Sequence, residues 1–302
     1  MVAGEDRVVV APYGAMTDKS LDTADRTASS GSMTIAPIFL GLLWLATSAW
    51  TARASYLGTE VGLDGALADA IGSLPSTVAA TVFTSATIAS AVSARIRLAI
   101  TRLLVGLGVG VGFGLLAAVG TRYGYGDGSS ITALALVVGA AGVLGGAAAM
   151  LPNQVLEAGL WGTTWVLFAG VIFGALGPQL TTLFGGGDTA EPAAQESARM
   201  WAAVTQSIAT GALAGVHAST VLRRERQAWG WYPVAGAFGG ILLIVADRIT
   251  YLGGSTVVDV ITDGSAVVNL DDAARLRHAV TVLVIGAIIG AARARRATFE
   301  YD

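Results

Sequence analysis

Gln206, Thr210 and His217 are spaced so that, at about 100° per residue, they fall within about 40° of one another on a helix. They sit in a mostly apolar segment, 200–221. An amide, a hydroxyl and an imidazole on one face of such a segment make either a polar path through lipid or a set of hydrogen bonds to a neighbouring helix. Arg122 and Arg248 close two other apolar segments, and Asp247 stands beside the second. Guanidinium groups there suit an anionic headgroup or solute, and they also suit snorkelling toward lipid phosphate. Asn153, Gln154 and Glu157 follow Pro152 in a short turn, where amides satisfy helix ends and a carboxylate favours a helix start.

The remaining inventory excludes a good deal. Cysteine is absent, which excludes disulfides, thiolate metal sites and cysteine nucleophiles, and only His217 and His278 supply imidazole, so zinc-type catalysis is not expected. Lys19 is the sole lysine. Glycine takes alternate positions from Gly106 to Gly114, yet no Gly-Lys-Ser/Thr follows, and no acidic residue stands where a dinucleotide fingerprint requires one. No cofactor and no metal site is expected. The sequence offers no paired carboxylates and no Ser–His arrangement, which leans against an enzyme.

The elements that must hold these residues are set by composition. The chain has 302 residues, 54% hydrophobic and only 13% charged, with mean hydropathy +0.65. Soluble domains carry near a quarter charged residues, so the composition indicates an all-α integral membrane protein. Eight apolar segments approach the roughly 20 residues needed to cross hydrocarbon: 34–52, 75–94, 103–121, 131–151, 155–177, 200–221, 231–251 and 273–292. Within the third, Gly106, Gly110 and Gly114 recur every fourth residue with Gly108 and Gly112 beside them. That predicts a broad smooth face for close helix packing. Gly236 and Gly240 repeat the step in the seventh, as do other glycine pairs elsewhere.

Charge orients an eight-span path. Arg95, Arg97, Arg102, Arg223, Arg224, Arg226, Arg293, Arg295 and Arg296 fall on one side with Arg7, Lys19 and Arg26. Arg53, Arg122, Arg199, Arg248, Arg275 and Arg277 fall on the other. The positive-inside rule then puts both termini in the cytoplasm, in the cytoplasmic membrane. Residues 1–31 read as a disordered cytoplasmic tail. Asp263-Gly264 between two β-prone runs predicts a hairpin outside the membrane, and 62–74 a short interfacial helix.

Three stretches correspond in order: 79–87 with 202–210, 114–122 with 240–248, and 136–140 with 283–287. They predict a parallel 4+4 repeat, with helices 1–4 in 32–152 and helices 5–8 in 153–298. The functional expectation is a transporter or permease-type protein, and the alternative is a non-catalytic scaffold or accessory subunit. Expected partners are membrane lipids and either a partner subunit or further copies of the chain, with no nucleic acid.

Overall fold

A computed structural model describes residues 35–51, 53–54, 63–126, 128–187, 190–262 and 273–299. Among the described residues the chain is almost entirely helical, with short turns between helices and no strand. The helices are α1 (Ile35–Thr51), α2 (Leu63–Ser93), α3 (Ala99–Tyr125), α4 (Ser129–Ala147), α5 (Asn153–Ala175), the short α6 (Gly177–Leu183), α7 (Pro192–Arg224), α8 (Trp231–Thr262) and α9 (Ala273–Phe299).

Six of these, α2, α3, α4, α5, α8 and α9, contain a segment long and apolar enough to cross a membrane. Of the eight spans expected, six are shown by length and composition, and α1 and α7 are not. The apolar run of α1 is 17 residues long, and α7 carries Glu196, Arg199, Gln206, Ser207, Thr210 and His217 along its 33 residues. The hairpin is corrected: residues 255–262 continue α8 as helix, and 263–272 lie outside the described residues. Residues 63–74 are helical as expected, but they run unbroken into α2. The 1–31 tail lies outside the described residues.

α2 carries the most deeply buried of the six apolar segments. Thr81, Thr84, Ser85, Thr87 and Ser93 on it are fully or almost fully buried, which lipid-facing positions would not require. Each hydroxyl finds an acceptor. Thr81, Thr84 and Thr87 donate to carbonyls of their own helix at 2.7 Å, and Ser85 reaches across to the Gly142 carbonyl of α4 at 2.6 Å. Around it, Leu74, Val78, Val82 and Phe83 of α2 form one apolar core with Val137 and Val138 of α4, Leu156 and Leu160 of α5, and Phe238 and Leu242 of α8.

Glycine decides which helices approach most closely. A Cβ built on Gly110 would lie 2.8 Å from the Gly142 carbonyl oxygen, and ones on Gly106 and Gly114 would lie still closer to the carbonyls of Gly146 and Gly139. α3 and α4 therefore meet backbone to backbone as an antiparallel pair. Gly236 and Gly240 do the same for α8 against Gly286 and Leu283 of α9, and Gly211 and Gly215 set α7 beside Val282 and Gly286. The face is narrower than the sequence suggests: Gly108 and Gly112 have open space around them, as do Gly170 and Gly174.

Cross-helix contacts fix the directions. Ser48 bonds Ser76, while Gly41 lies by Thr84, so α1 runs antiparallel to α2. Successive helices then alternate, and the arginines at the ends of α2, α7 and α9 gather at one end of the bundle with the start of α3. There Asn153 donates to the Ala94 carbonyl at 2.5 Å and accepts from Arg102 at 3.3 Å. Asn153 thus ties the end of α2 and the start of α3 to the start of α5, where sequence reasoning sees only a local cap.

Candidate functional site

At the end of the bundle opposite that arginine cluster, α1 and α2 stand apart from α7 and α9. The gap is a groove of about 1010 Å³. Trp44, Pro75, Ser76 and Ala79 form one wall. Glu196, Arg199, Gln206 and Ser207 of α7 face them, with Arg275, Arg277, His278 and Thr281 of α9 alongside and Leu243, Ala246 and Asp247 of α8 at the back. The glycine contacts explain its shape. α7 and α9 run parallel and are drawn together at Gly211 and Gly215, where α8 joins them through Gly236. The groove closes on that packed seam and opens at the other end.

Charged side chains reach the groove from α7, α8 and α9. The Asp247 side chain keeps only 10% of its exposure and lies between two guanidinium groups, Arg248 at 3.1 Å and Arg275 at 3.4 Å. A carboxylate this far from water needs such partners, because burial of an unpaired charge is costly. Deeper in, Ser207 Oγ stands 2.7 Å from His278 Nδ1 and also 2.7 Å from the Ala203 carbonyl. Donated to that carbonyl, the one hydroxyl proton leaves Oγ to accept from Nδ1–H. The imidazole then keeps Nε2 as its acceptor, and Ser207 hands no proton to a base.

The residues singled out in the sequence separate into several places. Gln206 and Asp247 line the groove. Arg248 reaches it through Asp247 and lies 5.8 Å from the centre of the Tyr251 ring. Thr210 is one turn below Gln206, wholly buried, and its hydroxyl has no partner among the described residues. His217 turns toward α5 instead, 5.9 Å from the Trp161 ring and 5.6 Å from that of Trp165. Arg122 is exposed in the last turn of α3 and is not among the groove residues. The three polar residues of α7 therefore do not line one common channel.

Sequence reasoning missed Ser207, Arg275 and His278. Arg275 and His278 are three residues apart, hence on one face of α9, but only the fold brings Asp247 and Ser207 to that face. A second cavity, about 460 Å³ and mostly apolar, lies between α1 and α3, with Arg53 and Tyr123 among its lining residues. Compared with known proteins, the chain matches no family model, no curated protein and no solved structure.

Proposed function

We propose that the chain is an eight-span transporter or permease-type protein of the cytoplasmic membrane, with its solute entering the groove between α1–α2 and α7–α9. The observation that carries this reading is the groove itself: about 1010 Å³, polar at its mouth and ending on a seam of glycine contacts. Alternating access needs a pathway at the interface of two helical units, and small-residue interfaces let helices lie close enough to shift without unpacking large side chains.

Physical arguments support counting α1 and α7 as spans. α7 packs against α5, α8 and α9 and buries Ser207, Thr210 and Ser219 there, while Trp201, Val204, Ile208, Leu213 and Val216 are exposed, so the buried hydroxyls meet protein and the outward face offers apolar side chains to lipid. α1 at 1.5 Å per residue covers about 25 Å, a shortfall that local thinning and snorkelling of Arg53 can absorb. The gathered arginines favour the cytoplasm at their end. A duplicated unit is supported by neighbours: α2 packs on α3 and α4, which pack on each other, and α7 packs on α8 and α9, which do the same.

The test is uptake into proteoliposomes from a panel of small anions, zwitterions and cations, with Gln206→Leu as the variant. Saturable uptake that falls in Gln206→Leu at unchanged melting temperature is the expected result. If no solute of the panel is accumulated or exchanged, and Gln206→Leu changes neither binding nor melting, the transport reading fails and a scaffold role takes its place.

A further inference from the structure

We infer that the groove binds an uncharged, hydroxyl-bearing ligand of the polyol type, hydrogen-bonded to Gln206, His278 and Thr281 with its hydrocarbon face toward Trp44. This names a ligand class for the groove and so rests on the reading of it as a face that admits a solute. The charged groups of the lining stand at its mouth. Glu196 and Arg199 belong to the first turns of α7, and Arg275 and Arg277 to the first turns of α9. Glu196, Arg199 and Arg277 are exposed. Asp247 is held between Arg248 and Arg275, so its carboxylate is engaged within the protein.

Further in, the lining changes character. It continues on α7 and α9 with Gln206, Ser207, His278 and Thr281, and on the facing helices with Trp44 and Ala79. Ser207 occupies Nδ1 of His278 at 2.7 Å, which leaves Nε2 as an acceptor. Threonines elsewhere in the bundle bond back to their own helix, as Thr84, Thr163 and Thr250 do to the carbonyl four residues earlier. Thr281 does not: among the described residues neither its hydroxyl nor the Gln206 amide has a hydrogen-bond partner. The Thr210 hydroxyl, one turn below Gln206, is wholly buried and equally without a partner among the described residues. Polar groups this far from water ordinarily have partners. Here donors and acceptors run inward from the mouth with no carboxylate or guanidinium among them.

A charged ligand at that depth would leave the rim charges behind, and Asp247 and Arg275 are already engaged with each other. Burial of a charge without an opposite one is costly. An uncharged ligand needs only hydrogen bonds, and an amide, an imidazole nitrogen and a hydroxyl offer both donors and acceptors. On the other wall the Trp44 ring and Ala79 suit the C–H surface of the same molecule. The hydroxyl chemistry is shared by a free sugar and by the headgroup of a diacylglycerol.

The experiment uses the full chain in phosphatidylcholine nanodiscs. One arm measures binding of radiolabelled glucose, with glucosamine and glucuronate as charged counterparts of the same ring. The other adds diacylglycerol, with phosphatidic acid as its charged counterpart, and counts bound lipid by native mass spectrometry. Saturation in the first arm alone identifies a free polyol, and in the second alone a lipid. In whichever arm binds, the charged counterpart should bind at least about tenfold more weakly. Thr281→Val, which removes a hydroxyl and keeps the shape, should lower affinity by about two- to tenfold, as should Gln206→Leu. Neither should lower the melting temperature, because neither group bonds within the fold. Thr164→Val on α5, outside the groove, should leave affinity unchanged.

The inference is overturned if neither arm binds, if a charged counterpart binds as tightly as the neutral one, or if Thr281→Val matches Thr164→Val. Should Gln206→Leu not fold, Thr281→Val carries the test alone. Glucose and diacylglycerol also join the uptake panel. Binding without flux in proteoliposomes keeps this inference and removes transport. Flux of a charged solute with no binding of a neutral one does the reverse.

Discussion

Gly110 and Gly108 are two residues apart on α3 and have opposite surroundings. A methyl group on Gly110 would press on the Gly142 carbonyl at 2.8 Å and on two further backbone atoms at 3.1 Å, all on α4, whereas one on Gly108 would meet nothing within 4 Å. Gly110→Ala should therefore cost about 1–3 kcal/mol as overpacking, and Gly108→Ala should be neutral or slightly stabilising. Thermal unfolding of the two purified variants in one detergent measures the difference, and equal melting temperatures would mean that α3 is not held by this face. Period four in the sequence did point to Gly106, Gly110 and Gly114 as contacts, and to Gly236 and Gly240. It did not separate them from Gly108 and Gly112, because which part of a smooth face is used depends on where the partner helix lies. The same limit applies to Gln206, Thr210 and His217. Helical spacing puts them within a narrow arc, yet neighbours on three sides of α7 give them a groove, a buried seam and an aromatic pair.

Among the helices, α7 and α8 show how far local pattern reaches. The helical segments fall close to the apolar runs read from composition, since hydrocarbon length and the need to satisfy backbone groups leave little choice. α7 is the exception in hydropathy, and its position beside α5, α8 and α9 accounts for that. If α7 crosses the membrane, residues at its two ends face opposite compartments. The chain contains no cysteine, so Gly187→Cys and Glu225→Cys can each be introduced alone. An impermeant maleimide applied to intact cells should label the first and spare the second; labelling of both from outside would remove α7 from the spans. Residues 255–262 were misjudged for the reverse reason. Their β-branched composition favours strand in isolation, but continuation of α8 keeps the backbone hydrogen-bonded without a partner strand.

Over the molecule as a whole, the two groups of helices share their neighbour relations but are not set about a closed twofold axis. α8 packs on α4, and a twofold would then require α3 to pack on α9, a contact absent among the described residues. α8 instead touches α2, α4 and α5 as well as α7 and α9, which makes it the helix on which both groups lean. On the proposed eight-span path the chain returns to the side where it began. A reporter fused after Arg296 should show the cytoplasmic signal, and an external signal there would reverse the charge-based orientation. The ion pairs at Asp247 also bear on biosynthesis. Synthesis delivers α8 before α9, so the nascent chain first carries Asp247 with Arg248 alone as its cation. Arg275 and His278 arrive only with α9, which settles against helices already inserted. The groove is thus assembled by the arrival of one late helix, and a ribosome that stalls before Arg275 leaves a membrane-bound intermediate with its carboxylate half-compensated and no site to occupy.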